Sequence, residues 1–271
     1  MIRFSNIFLK FDGRQVLRNI SMDVPAGQTQ VILGGSGCGK TTTLRLILGL
    51  LHPESGSIVI NGQEIVGLTE RQMASIRTQM AMVFQGAALF DSLTVRENVG
   101  YRLWEEGALD NASIEQRVAE SLRFVGLEDT LDKMPAELSG GMKKRVAIAR
   151  ALACKPKIIL YDEPTAGLDP INTHLVSELV CRLHREEHVT QIVVTHDLEC
   201  AYRIANQLIM IHRGEAIFDG SVDALQASDD PRIRTFLRPE EVLAEPGCFP
   251  HKDGGIRVVP PMPEKAEQAP A

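Results

Sequence analysis

The run Gly34-Gly35-Ser36-Gly37-Cys38-Gly39-Lys40-Thr41, followed by Thr42, constrains this chain more than any other stretch. It has the form G-x-x-x-x-G-K-[ST], the pattern of a backbone loop that wraps a phosphate. With average residue frequencies, a chain of this length meets that pattern by chance about once in a hundred. Gln30-Val31-Ile32-Leu33 before it is an apolar run of strand length, and Leu44, Ile47, Leu48 and Leu51 after it recur at helical spacing. Strand, glycine loop and helix therefore come in the required order. The glycines let successive N–H groups turn inward, and a helix starting near Lys40 adds its positive dipole end. Lys40 offers a compact cation to β- and γ-phosphates, and the Thr41 hydroxyl is a ligand for Mg²⁺. We read residues 34–42 as a nucleotide site.

At 271 residues the chain suits one or two domains, and its 44% hydrophobic and 24% charged content is ordinary for a globular protein. A net charge of −6 argues against nucleic acid as the main partner, because backbone binding needs clustered positive charge. Lys143-Lys144-Arg145 is too short to reverse that and reads as a solvated helix face. The five cysteines (38, 154, 181, 200, 248) show no C-x-x-C and no metal spacing, which suits a reduced cytosolic compartment. Met1-Ile2-Arg3-Phe4 runs straight into strand-like sequence, so no signal peptide is expected. No apolar run approaches the roughly 18 residues of a membrane helix, and any membrane role is expected to come through a partner.

Residues 2–24 read as two short strands around Asp12-Gly13. Phe11 stands before that turn and Val16 after it. Both are candidates to face a purine, Phe11 by stacking, although an exposed or core-packed Phe is the alternative. Asn61-Gly62 between Ser57-Ile58-Val59-Ile60 and Gln63-Glu64-Ile65 predicts a hairpin. A helix is expected over about 70–79, then a buried strand, Met80-Ala81-Met82-Val83-Phe84, ending at Gln85. From about 86 to 157 the pattern turns helical. Thr94 and Glu97 form a capping box, Ile114, Val118, Leu122 and Val125 share one face, and a further helix starts after Ser139-Gly140-Gly141. Strands return at Ile158-Ile159-Leu160-Tyr161 and Gln191-Ile192-Val193-Val194-Thr195, with a helix near 173–186 between them. Leu208-Ile209-Met210-Ile211, with a turn at Arg213-Gly214, is expected to end the sheet. Seven of the 14 prolines lie beyond Arg238, so residues 239–271 read as a flexible tail.

Further residues stand where phosphate chemistry needs them. Asp162 ends an apolar strand, where α/β sheets place ligands, and is a candidate to hold Mg²⁺. Glu163 has no evident packing purpose and could polarise the attacking water; a solvated acidic loop is the alternative. His196 also ends a strand and is a candidate for reaching the γ-phosphate, against the alternative of a structural histidine. Gln85 is a third strand-end group, neutral and able to touch metal or water. Leu138-Ser139-Gly140-Gly141-Met142 looks like a second anion site at a helix N-terminus. One phosphate loop does not need it within its own chain, whereas two chains head to tail would use it on each other's nucleotide.

Together, residues 34–41, Gln85, Leu138 to Met142, Asp162-Glu163, Ala166-Gly167-Leu168-Asp169 and His196 resemble the ATP-binding subunits of ABC transporters. The likeness spans residues 1 to about 225. It implies an α/β P-loop fold of ABC type: a RecA-like mixed sheet core, an N-terminal antiparallel β subdomain and an inserted helical subdomain at about 86–157, within a domain of 1–238. It implies a homodimer that binds ATP with Mg²⁺, and Asp169 in the loop crossing the dimer interface. Residues 86–104 would border the groove that grips a membrane subunit. Met142 stands where the family usually has Gln, and Phe11 where it usually has Tyr; neither departure removes a catalytic group.

A narrower resemblance is carried by Phe84-Gln85-Gly86-Ala87-Ala88-Leu89-Phe90, Met142, Leu160-Tyr161-Asp162-Glu163-Pro164 and Asp230-Pro231-Arg232-Ile233-Arg234-Thr235-Phe236-Leu237. These look like the ATPases of the Mla phospholipid-transport family. That implies an MlaE-like permease, an MlaD-like lipid-binding protein and an MlaB-like STAS protein as partners, at the cytoplasmic face of an inner membrane. ATPases of other ABC importers or exporters, and soluble ABC-type ATPases, are the rival readings. Cys38 reads as a tolerated small residue or a redox switch beside the phosphates.

Overall fold

Asp12 and Gly13 both take left-handed backbone, with φ of 47° and 78°, and fold β1 (Ile2–Phe11) back onto β2 (Arg14–Val24). These strands are ten and eleven residues long, rather than the short pair expected. In the computed structural model, residues 2–238 are described, together with the backbone at Cys248–Pro250 and Ile256–Val258. After β3 (Thr29–Leu33) and α1 (Lys40–Ile47), β4 (Ser55–Ile60) turns at Asn61-Gly62 into β5 (Gln63–Glu64) as the sequence predicts. β4 also pairs with β1, giving an antiparallel sheet in the order β2-β1-β4-β5.

α2 (Glu70–Arg77) leads to β6 (Met80–Val83). A helical block follows: α3 (Val95–Glu106), α4 (Asn111–Phe124) and α5 (Gly140–Ala153). Thr94 and Glu97 make the predicted capping box, and Ile114, Val118, Leu122 and Val125 are all buried. The chain returns through β7 (Ile158–Asp162), α6 (Pro170–Glu187), β8 (Thr190–Thr195), α7 (Leu198–Ile204) and β9 (Gln207–His212). β10 (Glu215–Gly220) pairs antiparallel with β9, so the sheet does not end at residue 211 as expected. The order of this second sheet is β10-β9-β3-β8-β7-β6, parallel except at β10.

Ile32, Leu160, Ile192, Val194, Ile209 and Ile211 of the six-stranded sheet join one core cluster with Leu44 and Ile47 of α1. The inward alternation of β1 and β2, including Ile2, Phe4, Ile7, Leu17 and Ile20, fills the same cluster. Gln191 donates to the Val180 carbonyl at 2.9 Å, fastening α6 to β8.

Other expectations need correction. Phe84 is 43% exposed because β6 is the sheet edge and the chain leaves it at Val83. α6 begins at Pro170 rather than near 173, since the Asp169 carboxylate accepts from Asn172 N–H and caps it. Lys143-Lys144-Arg145 is not a solvated face: Lys144 is only 5% exposed, and Arg145 donates to the Val125 carbonyl at 3.1 Å.

The chain divides into two units, Met1–Leu225 and Gln226–Ala271. α8 (Val222–Gln226) spans the division. In the second unit Asp230 caps α9 (Pro231–Leu237), and β11 (Cys248–Pro250) pairs antiparallel with β12 (Ile256–Val258). The expected flexible tail otherwise lies outside the described residues. Among the described residues no helix is long and apolar enough to cross a membrane, and the four described cysteines are free thiols.

Candidate active site

Register places the site. Leu33 pairs with Thr195, Asp162 with Val194 and Tyr161 with Val83, so β3, β8, β7 and β6 end along one sheet edge. The loops that leave these ends carry residues 34–41, His196, Glu163 and Gln85. Ligands of parallel α/β sheets collect at such carboxyl ends.

The phosphate loop is fitted tightly. A Cβ at Gly34 would lie 2.3 Å from the Ile211 carbonyl oxygen, and one at Gly39 would lie 2.6 Å from Leu17 Cδ2. Ser36 and Gly37 are exposed at its crest, while Cys38 is buried beneath it. Burial pushes the Cys38 thiol above its ordinary range, and the Lys40 charge offsets part of that rise. Lys40, 7% exposed, donates from Nζ to the carbonyls of Gly34 at 2.7 Å and Gly35 at 3.1 Å. The same Nζ lies 3.4 Å from Glu163 Oε1.

Thr41 Oγ1 donates to Asp162 Oδ1 at 3.0 Å. Burial raises the Asp162 carboxyl, and the Thr41 hydrogen bond works against that shift. A hydroxyl and a carboxylate side by side are hard oxygen ligands, a donor set that fits Mg²⁺.

Glu163 takes φ 48°, left-handed backbone of a kind that costs about 1–3 kcal/mol and clusters at functional sites. Its N–H donates to the Val194 carbonyl at 2.9 Å. Its Oε2 accepts from the His196 backbone N–H at 3.3 Å and lies 2.9 Å from His196 Nδ1. An ionised carboxylate only accepts, so Nδ1 carries the proton and Nε2 is left for another partner. The His196 side chain is 62% exposed, and Glu163's is 11% exposed.

The structure thus brings Lys40, Thr41, Asp162, Glu163 and His196 into direct contact. Gln85 is exposed, and its carbonyl accepts from Lys144 Nζ. Phe11 is 40% exposed on the β1–β2 hairpin. The half-buried Val16 has its carbonyl oxygen 3.4 Å from where a Gly39 Cβ would be. Ser139 Oγ accepts from Met142 N–H at 3.3 Å, and Ser139 and Gly140 are exposed at the start of α5. Among the described residues no hydrogen bond joins residues 139–141 to the phosphate loop, so these groups stand outside the contact network.

The sequence reading missed the roles of three residues, Thr165, Asp197 and Lys144. Thr165 Oγ1 donates to Asp197 Oδ2 at 2.9 Å, and Asp197 caps α7, tying the loop after β7 to the loop after β8. Lys144 donates to the carbonyls of both Gln85 and Glu163. Its helical neighbours Ala147, Ile148 and Ala151 are buried, so the 3.6-residue period placed it inward even though its charge suggested water.

The profile of the ABC transporter family matches residues 17–166. The chain belongs to the ATP-binding subunits of ABC transporters. It is 39% identical over 240 residues to the intermembrane phospholipid transport system ATP-binding protein MlaF of Haemophilus influenzae, covering 89% of this chain and 91% of the relative. It is 36% identical over 241 residues to the "Probable ribonucleotide transport ATP-binding protein mkl" of Mycobacterium leprae, covering 89% of this chain and 70% of the relative. A dimeric, post-hydrolysis ATP-binding cassette solved with ADP and Pi aligns with a TM-score of 0.74 at 33% identity, over 82% of this chain and 99% of that one. Like other ABC ATP-binding subunits, this chain is an ATPase.

Proposed function

We propose that this ABC subunit drives phospholipid transport between membranes, hydrolysing ATP as one half of a homodimer docked on a membrane permease. The observation that carries the reading is the 39% identity to an intermembrane phospholipid transport ATPase over nearly the full length of both chains. Residues 1–238 serve as the ATP-binding domain, with 86–157 as its helical arm. Residues 34–42 cradle the phosphates, and Phe11 and Val16 face the base. Lys40 holds the β- and γ-phosphate oxygens; Glu163 accepts the proton of the attacking water. His196 holds the Glu163 carboxylate through Nδ1–H and offers Nε2 to the γ-phosphate. Thr41, Asp162 and Gln85 would hold Mg²⁺, which neutralises charge on the phosphate oxygens when bound.

Ser139, Gly140 and Gly141 complete the partner subunit's nucleotide site. The exposure of Ser139 and Gly140 at the α5 N-terminus, with Gly141 buried just behind them and apart from their own phosphate loop, supports that use. Closure on ATP and reopening after hydrolysis give the two states whose difference in affinity does work on the permease. Phe84, Phe90 and Tyr101 are exposed, with the last two rings 4.7 Å apart, and supply an apolar face for it. The partners are then an MlaE-like permease with MlaD-like and MlaB-like subunits, at the cytoplasmic face of an inner membrane.

Purification of the full-length chain from its native membranes tests the reading. The expected result is a permease carrying bound phospholipid, and ATPase activity stimulated by phospholipid in reconstituted vesicles. Ribonucleotide in place of lipid would support the second reading, which the mycobacterial relative favours. Stimulation by nucleic acid with no permease attached overturns both.

A further inference from the structure

Lys144 is a buried cation with an unusual choice of partners. It lies in the second turn of α5, 5% exposed, and among the described residues it forms no ion pair. Its Nζ donates instead to two main-chain carbonyls, that of Gln85 and that of Glu163, the latter at 3.2 Å. Burial works against the Lys144 ammonium, and the carboxylates of Glu163 and Asp162 offset only part of that cost from beyond ion-pair distance, which a packing role alone does not require. The recipients explain the arrangement. They are the peptides just past β6 and just past β7, each next to a strand-end group of the hydrolysis site.

We propose that Lys144 is a positioning residue that aims the Glu163 carboxylate at the attacking water. Glu163 sits in left-handed backbone at φ 48°, a conformation its surroundings must impose. Its N–H is fixed on Val194 O at 2.9 Å, and its C=O is fixed by Lys144. Holding both sides of one residue sets the direction of its Cα–Cβ bond, and so sets where Oε1 and Oε2 meet Lys40 and His196. Because α5 starts at the exposed Ser139 end, a tilt of that helix carries Nζ with it and moves the Glu163 peptide. The active carboxylate is thereby sensitive to where the helical block stands. This inference rests on the proposed role of Glu163.

The test is steady-state ATPase kinetics of the full-length chain with K144M, which keeps length and loses charge. The expected result is a kcat at least tenfold lower, with KM and the Kd for Mg-ATP within twofold of wild type. K144R, which keeps a cation and donors, is expected to retain at least a third of kcat. E163Q/K144M is expected to be no slower than E163Q, because nothing remains to be aimed. If K144M does not fold, K144Q carries the same comparison, with thermal melting read alongside. Wild-type kcat in the lysine variants beside an inactive E163Q overturns the positioning role and leaves the function standing. A raised KM with unchanged kcat also overturns it. A fully active E163Q removes the role of Glu163 and this inference together.

Discussion

Lys40 Nζ lies 3.4 Å from Glu163 Oε1, with both side chains buried. The cation meant for phosphate and the carboxylate meant for water therefore begin as each other's partners. A phosphate oxygen brought to the loop competes with Glu163 for the same ammonium. In the mechanism proposed above, binding substrate would free the carboxylate to take a proton, linking occupancy to reactivity through one lysine.

Lys40→Ala removes the ammonium proposed to donate to the phosphate oxygens, which within the chain rests on the carbonyls of Gly34 and Gly35 and on Glu163. Hydrogen bonds to charged groups contribute about 1.5–3 kcal/mol each. Calorimetric titration is expected to give Mg-ATP affinity about 10- to 100-fold weaker. Unchanged affinity would place the phosphates elsewhere.

Glu163→Gln keeps a hydrogen-bonding group beside His196 and loses the proton acceptor. A general base contributes about 10²–10⁴-fold, so kcat is expected to fall in that range while ATP still binds. Size-exclusion chromatography with ATP is expected to show a stable dimer. A monomeric elution with ATP bound would contradict shared nucleotide sites.

Gly141→Ala is expected to abolish turnover by a steric route. Its new Cβ would lie 2.1 Å from Asn172 Oδ1, and Asn172 is held by Asp169. Adding Asn172→Ala opens that space, and the double variant is expected to recover at least tenfold of the lost rate. No recovery would show that Gly141 is needed for something other than room.

Cys38 gives a chemical readout of the loop. Burial raises its thiol pKa, so at neutral pH little thiolate is present, and alkylation is expected to accelerate as pH rises toward and past 9.0. Mg-ATP is expected to slow the reaction at every pH. Mass spectrometry of the alkylated peptide measures both; equal rates with and without nucleotide would separate Cys38 from the phosphates.

Most strand ends and helix starts could be read from the residues, because apolar runs and caps are local signals. Asp12-Gly13, Thr94 with Glu97, and Asn61-Gly62 all behave as their side chains dictate. The motifs also place Asp162, Glu163 and His196 at strand ends and Lys40 at a helix start without reference to sheet order. Register, which no single strand encodes, then brought them to one edge. β10 escaped because Glu215 and Ala216 are exposed at the sheet margin and leave little apolar period. Lys144 escaped because its charge was weighed above its spacing, and the carbonyls that receive it are distant in sequence.

Leu17 occupies the space beside Gly39, Gly214 leaves no room against the Val16 carbonyl, and Arg18 N–H donates to Gly214 O at 2.7 Å. The two β layers are therefore riveted together at the nucleotide's doorstep. That joint makes a common base beside the phosphate loop. In the proposed cycle, the stroke is then a swing of the helical block against that base.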